Sequence, residues 1–187
     1  MRTFLGILIL CLLKLTAFGQ EGMNTGIIYG KNHAFSLTAP TGWILDNQSG
    51  VSQGLHAVFY QRGQSWKDAT TVMYANTASL EDQAHKTLKQ LIKFDLDKFK
   101  KDYFDIRITE GNDIITKENA IAKIRYLSGK SYGNYEAISY IDAGKTGVMI
   151  IMSSRTKDEF DNSLTAFESL VKSYLFMADK VIIDKKE

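Results

Sequence analysis

Val148-Met149-Ile150-Ile151-Met152 is apolar at every position. Successive side chains of a strand point to opposite faces, so a strand of this composition is stable only where both faces are covered. The sheet that holds it therefore needs apolar material on each side, and two amphipathic segments can supply it. Ser79-Leu80-Glu81-Asp82 reads as the start of the first, with Ser79 as N-cap. Behind it Leu88, Leu91, Ile92, Leu96, Phe99 and Tyr103 recur at helical spacing, with Lys86, Lys89, Lys93, Asp97, Lys100 and Lys101 on the opposite face. The spacing predicts a helix over 80–102. The second opens on Thr156-Lys157-Asp158-Glu159, a capping-box pattern, and continues through the stripe Phe160, Leu164, Phe167, Leu170, Val171 and Tyr174.

Shorter runs at 57–60, 71–75, 106–109, 120–127 and 135–141 read as further strands. The connections Gly129–Gly133 and Asp142–Gly147 are short and Gly-rich, which predicts an antiparallel meander. The fold class expected is α+β, an antiparallel sheet sandwiched between helices. At the other end, Phe35, Leu37 and Ala39 alternate with Ser36 and Thr38, as in a half-buried strand. The single proline, Pro40, has no N–H to give a ladder and should end that strand. Gly42 permits a tight turn, and Trp43 folds back as a large apolar anchor. Gln20 to Lys31, rich in Gly, Asn and Thr, reads as a flexible lead-in.

Residues 1–19 have the layout of a secretory signal peptide: Arg2, an apolar run from Phe4 to Leu13, then Ala17 and Gly19 as small residues before a cut at Gln20. The run is shorter than the roughly 20 residues that span a bilayer. Cys11 sits mid-run behind Leu10, where a lipoprotein would have a small residue, so it is expected to leave with the signal. The protein is then expected to be secreted or periplasmic, a single domain over 20–187 with no transmembrane anchor. That domain has no cysteine, and its 21 basic residues equal its 21 acidic ones. Disulfides, thiolate metal sites and a cysteine nucleophile are excluded, and so is the basic footprint of a nucleic-acid binder. Ile182-Ile183 reads as an apolar latch before a charged end.

The order of elements, together with Phe35-Ser36-x-x-x-Pro40-x-Gly42-Trp43, resembles the PsbP-like family. The resemblance implies a sheet flanked by helices, with Phe35, Pro40 and Trp43 as fold residues. It also implies a binding or assembly role of the kind played by extrinsic photosystem II subunits and a nuclear Ran-binding factor. No functional residue carries over from it.

For chemistry, Gly50-Val51-Ser52-Gln53-Gly54 matches the G-x-S-x-G nucleophile elbow. That motif needs a strand before the serine, a helix after it, and an acid and a histidine later in the chain. A polar loop precedes Ser52, and His85, on the amphipathic helix, is the one histidine beyond His56. A serine hydrolase is kept as the alternative. His33, His56 and His85 share no metal-ligand spacing, Asp95-Leu96-Asp97 lacks the rest of a calcium loop, and no cofactor is expected. His56, Tyr60, Arg62 and Trp66 are the strongest recognition cluster, since aromatics and Arg on a loop are favoured at hot spots. Large aromatics also seal cores, and covering the sheet edge is the preferred reading of Tyr60 and Trp66. Arg155, beside the start of the last helix, is a second candidate; a helix N-terminus can hold an anion, but simple capping is the preferred reading. The tyrosines Tyr126, Tyr132, Tyr135 and Tyr140 either line a cleft or form sheet surface. The function expected is that of an exported, non-enzymatic binding or accessory protein of the cell envelope. Its partner is an unknown protein or small-molecule ligand.

Overall fold

The computed structural model describes residues 25–30 and 32–181. The signal-peptide reading of 1–19 and the latch at 182–183 lie outside the described residues. The chain runs β1 (Thr25–Gly30), β2 (His33–Thr38), β3 (Trp43–Asp46), β4 (Val58–Gln61), β5 (Thr71–Ser79) and α1 (Leu88–Asp102). It continues with β6 (Arg107–Glu110), β7 (Ile114–Ile115), β8 (Ile121–Ser128), β9 (Tyr135–Asp142), β10 (Thr146–Ser154), α2 (Lys157–Lys172) and β11 (Leu175–Ala178). The strands form two antiparallel sheets. A large one has the order β3-β4-β5-β10-β9-β8-β6, with β7 also on β8, and a smaller one has the order β1-β2-β11.

The all-apolar run lies in β10, between β5 and β9 at the middle of the large sheet. Its side chains divide by parity, as a strand requires. Val148, Ile150 and Met152 join one cluster with Ala122, Ile124, Ala137 and Ile141, and α2 adds Phe160, Phe167, Leu170 and Val171. Phe35, Leu37 and Ile28 of the small sheet belong to the same cluster. Ile151 goes the other way, into a cluster with Leu127, Ile138, Tyr140 and Ile92 of α1, against which Leu88, Leu96 and Phe99 also pack.

Pro40 and Gly42 carry the chain from one sheet to the other. β2 ends at Thr38, the Trp43 N–H donates to the Pro40 carbonyl at 2.9 Å, and Gly42 takes φ 82°. Trp43, buried, then opens β3 in the large sheet. The lead-in reading of Gln20–Lys31 is corrected over 25–30, where β1 pairs with β2 from Thr25↔Thr38 to Gly30↔His33. The turn-rich composition concealed a strand whose register is supplied by its partner.

The helix expected from 80 begins later, at Leu88. Ser79 belongs to β5, whose pairing with β10 persists to Ser79↔Thr146, and the Leu80 N–H donates to the Lys145 carbonyl at 2.8 Å. Sheet pairing takes the residues that a local capping pattern would have used. Thr87 is the N-cap: its hydroxyl accepts the Gln90 N–H at 3.2 Å, and Gln90 Oε1 reaches back to the Lys86 N–H at 2.8 Å. His85 is therefore off the helix, buried in the preceding turn with its ring 5.2 Å from that of Phe94.

Thr156 caps α2 by accepting the Glu159 N–H at 3.3 Å, with Asp158 and Glu159 in the first turn. Thr156→Ala should cost about 1 kcal/mol, or roughly 2–4 °C in melting temperature, while Thr156→Ser should be near neutral. A pair of thermal melts checks it; equal melting of the Ala and Ser variants would show that the cap adds nothing.

Candidate functional site

The residues singled out in the sequence do not form one cluster. Tyr60, on β4, faces the α1 side of the large sheet in the cross-strand row Ile44, Tyr60, Val72, Ser153, Glu136. Ile44, Tyr60 and Val72 are half-buried. The Tyr60 hydroxyl donates to Asp46 Oδ2 at 2.9 Å. The same carboxylate accepts the Gln48 N–H at 2.7 Å and, from Ser49, the N–H at 2.9 Å and the hydroxyl at 2.6 Å. Desolvation opposes ionisation of Asp46, but the Ser49 bonds, with those of Gln48 and Tyr60, outweigh it and hold its pKa at about 2. At neutral pH it is a fixed anion that anchors the ring of Tyr60. Trp66 stands edge-on to Tyr74 with centroids 6.2 Å apart and is half-buried.

His56 and Arg62 lie apart from this row. His56 is exposed and lines a cavity of about 230 Å³ with Ile27 and Tyr29 of β1 and with Asn47. Burial, and secondarily the neighbouring His56, lower the pKa of His33. Arg62 sits exposed in the turn after β4, its N–H donating to the Gly42 carbonyl at 2.8 Å. Ser52 lies on an exposed single 3-10 turn, Val51–Gln53, closed by Gly54 at φ 76°. A turn followed by a left-handed glycine is not a strand-to-helix elbow, and among the described residues no histidine is hydrogen-bonded to Ser52. Nor do three His, Asp or Glu side chains gather among them as a metal ion would require.

Two features went unread in the sequence. The first is a tyrosine–carboxylate cluster under α1. Tyr140 is fully buried, and its hydroxyl donates to Asp95 of α1. Glu136, 5% exposed, receives hydrogen bonds from Tyr132 and Ser153. Burial raises the pKa of both carboxyls against these bonds, and the charge of Asp95 adds to the effect on Glu136. Burial and the two carboxylates also push Tyr74 up. Tyr132 is braced by Phe99 and Tyr103, with centroids 5.7 and 4.8 Å away. The available signal was Asp95 itself, an acid three residues beyond Ile92 and four before Phe99 on the buried stripe.

The second is the setting of Arg155. It lines a cleft of about 660 Å³ beside the start of α2, together with Arg107, Lys130 and Lys157. Arg155 is thus separated from Tyr60 and Trp66, and the helix start beside it is already capped by Thr156.

No protein family matches the chain, and no curated protein is similar to it at a significant level. Among solved structures it is similar to cyanobacterial PsbP (CyanoP) from Synechocystis, at 14% identity and TM-score 0.49, over 87% of this chain and 99% of that one. It is similar to the Ran-binding protein Mog1p of Saccharomyces cerevisiae at 11% identity and TM-score 0.48, over 82% and 96%. A Bacteroides thetaiotaomicron protein aligns at 11% identity and TM-score 0.46, over 78% of this chain but 46% of its own length. None of these likenesses carries a site across to this chain.

Proposed function

We propose that this chain is an exported, non-enzymatic binding or accessory protein built as a PsbP-like α/β/α sandwich. It recognises a protein partner through the Ile44–Tyr60–Val72 row and Trp66. Three observations support the setting: the signal-like layout of 1–19, the Phe35-to-Trp43 opening, and the packing of α1 and α2 side chains in separate clusters on opposite sheet parities. The observation that carries the recognition surface is the bond from Tyr60 to Asp46. Two side chains that are both half-exposed and held in one orientation lose little freedom on binding. An aromatic ring fixed in this way, on the same side of the sheet as Trp66, has the character of a hot-spot anchor.

Photo-crosslinking in the native host, with a benzophenone side chain at position 66, tests this reading. A discrete adduct at 66 but not at exposed Lys89 on α1 is expected. Trp66→Ala, with its melting temperature unchanged, should weaken capture of the crosslinked partner by tenfold or more, the loss typical of a hot spot. Unchanged capture by that variant removes the loop from the proposal.

A further inference from the structure

Arg107 of β6, Ser128 of β8, Tyr135 of β9 and Ser154 of β10 form one cross-strand row at an end of the large sheet. Three inter-strand spacings give it a span of about 14 Å. The row lies on the α2 side, where Tyr135 is braced by Phe160 with ring centroids 6.2 Å apart. The cleft over this row encloses about 660 Å³, within the range of small-molecule sites. Arg107 stands at one end and Arg155 and Lys157 at the other, with Lys130 on the β8–β9 hairpin.

The charge of this cleft is not balanced from within. Lys157 is paired with Asp161 at 2.5 Å. Arg107, Lys130 and Arg155 have no carboxylate within 4 Å among the described residues, and all three are exposed. The lining contains one acid, Asp105, and its oxygens are engaged elsewhere. They accept the Lys130 N–H at 3.0 Å, the Ser131 N–H at 3.1 Å and the Ser131 hydroxyl. Those bonds, the Ser131 hydroxyl first, keep its carboxyl below the usual range. Asp105 thus shapes the hairpin and offers little to a neighbouring guanidinium. The α2 terminus adds little positive field, because Thr156 caps it and Asp158 and Glu159 occupy its first turn. The surplus is carried by side chains, two of them guanidinium forks that match phosphate oxygens.

We propose that this cleft binds a multiply charged, phosphate-bearing ligand held between Arg107 and Arg155, with Lys130 closing over it. A phosphate monoester brings more than one negative charge per group at neutral pH, which suits three unpaired cations across a ~14 Å floor. The site is separate from the Tyr60–Trp66 surface, so each stands or falls by itself.

Calorimetric titration with ADP and with inorganic pyrophosphate, and sedimentation with phosphatidic acid vesicles, are the measurements. At least one of these three should bind. Arg107→Glu and Arg155→Glu should each weaken that binding tenfold or more, and Arg155→Lys only a few-fold. Lys89→Glu, with the same charge change on α1, should leave it intact. Binding of ADP or pyrophosphate identifies a free phosphate as the source. Binding of vesicles alone, lost in the same two variants, identifies a lipid headgroup. The proposal is overturned if none of the three binds, or if Lys89→Glu weakens binding as much as Arg155→Glu.

Discussion

Phe35→Ala should destabilise the protein by about 3–5 kcal/mol, lowering the melting temperature by roughly 6–20 °C. Phe35 is fully buried, and its ring meets Tyr174 with centroids 5.4 Å apart and His33 at 5.9 Å. It belongs to the cluster shared by the small sheet, the large sheet and α2, so no single element can shift to fill the space it leaves. Ile27, also on the small sheet, is 57% exposed, and Ile27→Ala should change stability by no more than about 0.5 kcal/mol. Urea melts of the two variants make the comparison. Similar losses would mean that the small sheet does not pack on the large one as described.

Tyr140→Phe should cost about 1–3 kcal/mol at pH 7, the penalty for leaving a half-buried acceptor without its donor. The acceptor is Asp95, whose folded-state pKa is raised by burial while the Tyr140 hydroxyl pulls it back. Deleting that hydroxyl raises it further. The cost is therefore full only above the variant's further-raised value, shrinks as pH falls from there to the parent's value, and is smallest where Asp95 is protonated in both. The parent has its own slope. Asp95 and Glu136 hold protons more tightly folded than unfolded, so their contribution to stability is greatest below the ordinary carboxylate pKa. It is lost as pH rises through their raised folded values. Stability curves of parent and variant from pH 4 to 8 read both effects. A Tyr140→Phe cost that does not vary with pH would place the loss in packing, not in the Asp95 bond.

Where the sequence was legible, one partner sufficed to specify the outcome. The apolar run in β10 dictates cover on both sides wherever its neighbours lie, and Thr156 caps α2 from three residues away. The turn at Pro40–Gly42 and the anchor at Trp43 were equally local. Errors arose where a distant residue decides. Ser79 has good capping chemistry, yet it pairs with Thr146, which no local pattern reveals. Thr25–Gly30 looks like a loop until β2 lies beside it. The same holds for the candidate sites. Tyr60 and Trp66 are close in sequence and share a side of the sheet, whereas His56 turns toward β1. Arg155 stands out in the sequence because it adjoins a helix start. Arg107 and Lys130 reach it only through the register of β6, β8, β9 and β10, so the cleft had no linear signature.

The position of β2 bears on the order in which the protein folds. Thr38 and Ser173, bonded through the Thr38 N–H and the serine hydroxyl, are 135 positions apart, and β11 pairs with β2 just beyond them. Contacts of that span demand a large loop-closure entropy before they return any energy. The β8–β9–β10 meander joins neighbours in the chain and can close first, with α2 laid on it. During synthesis β2 must wait, with Phe35 unburied, until Tyr174 and β11 have emerged. The last part of the native core to form is then the part encoded nearest its beginning.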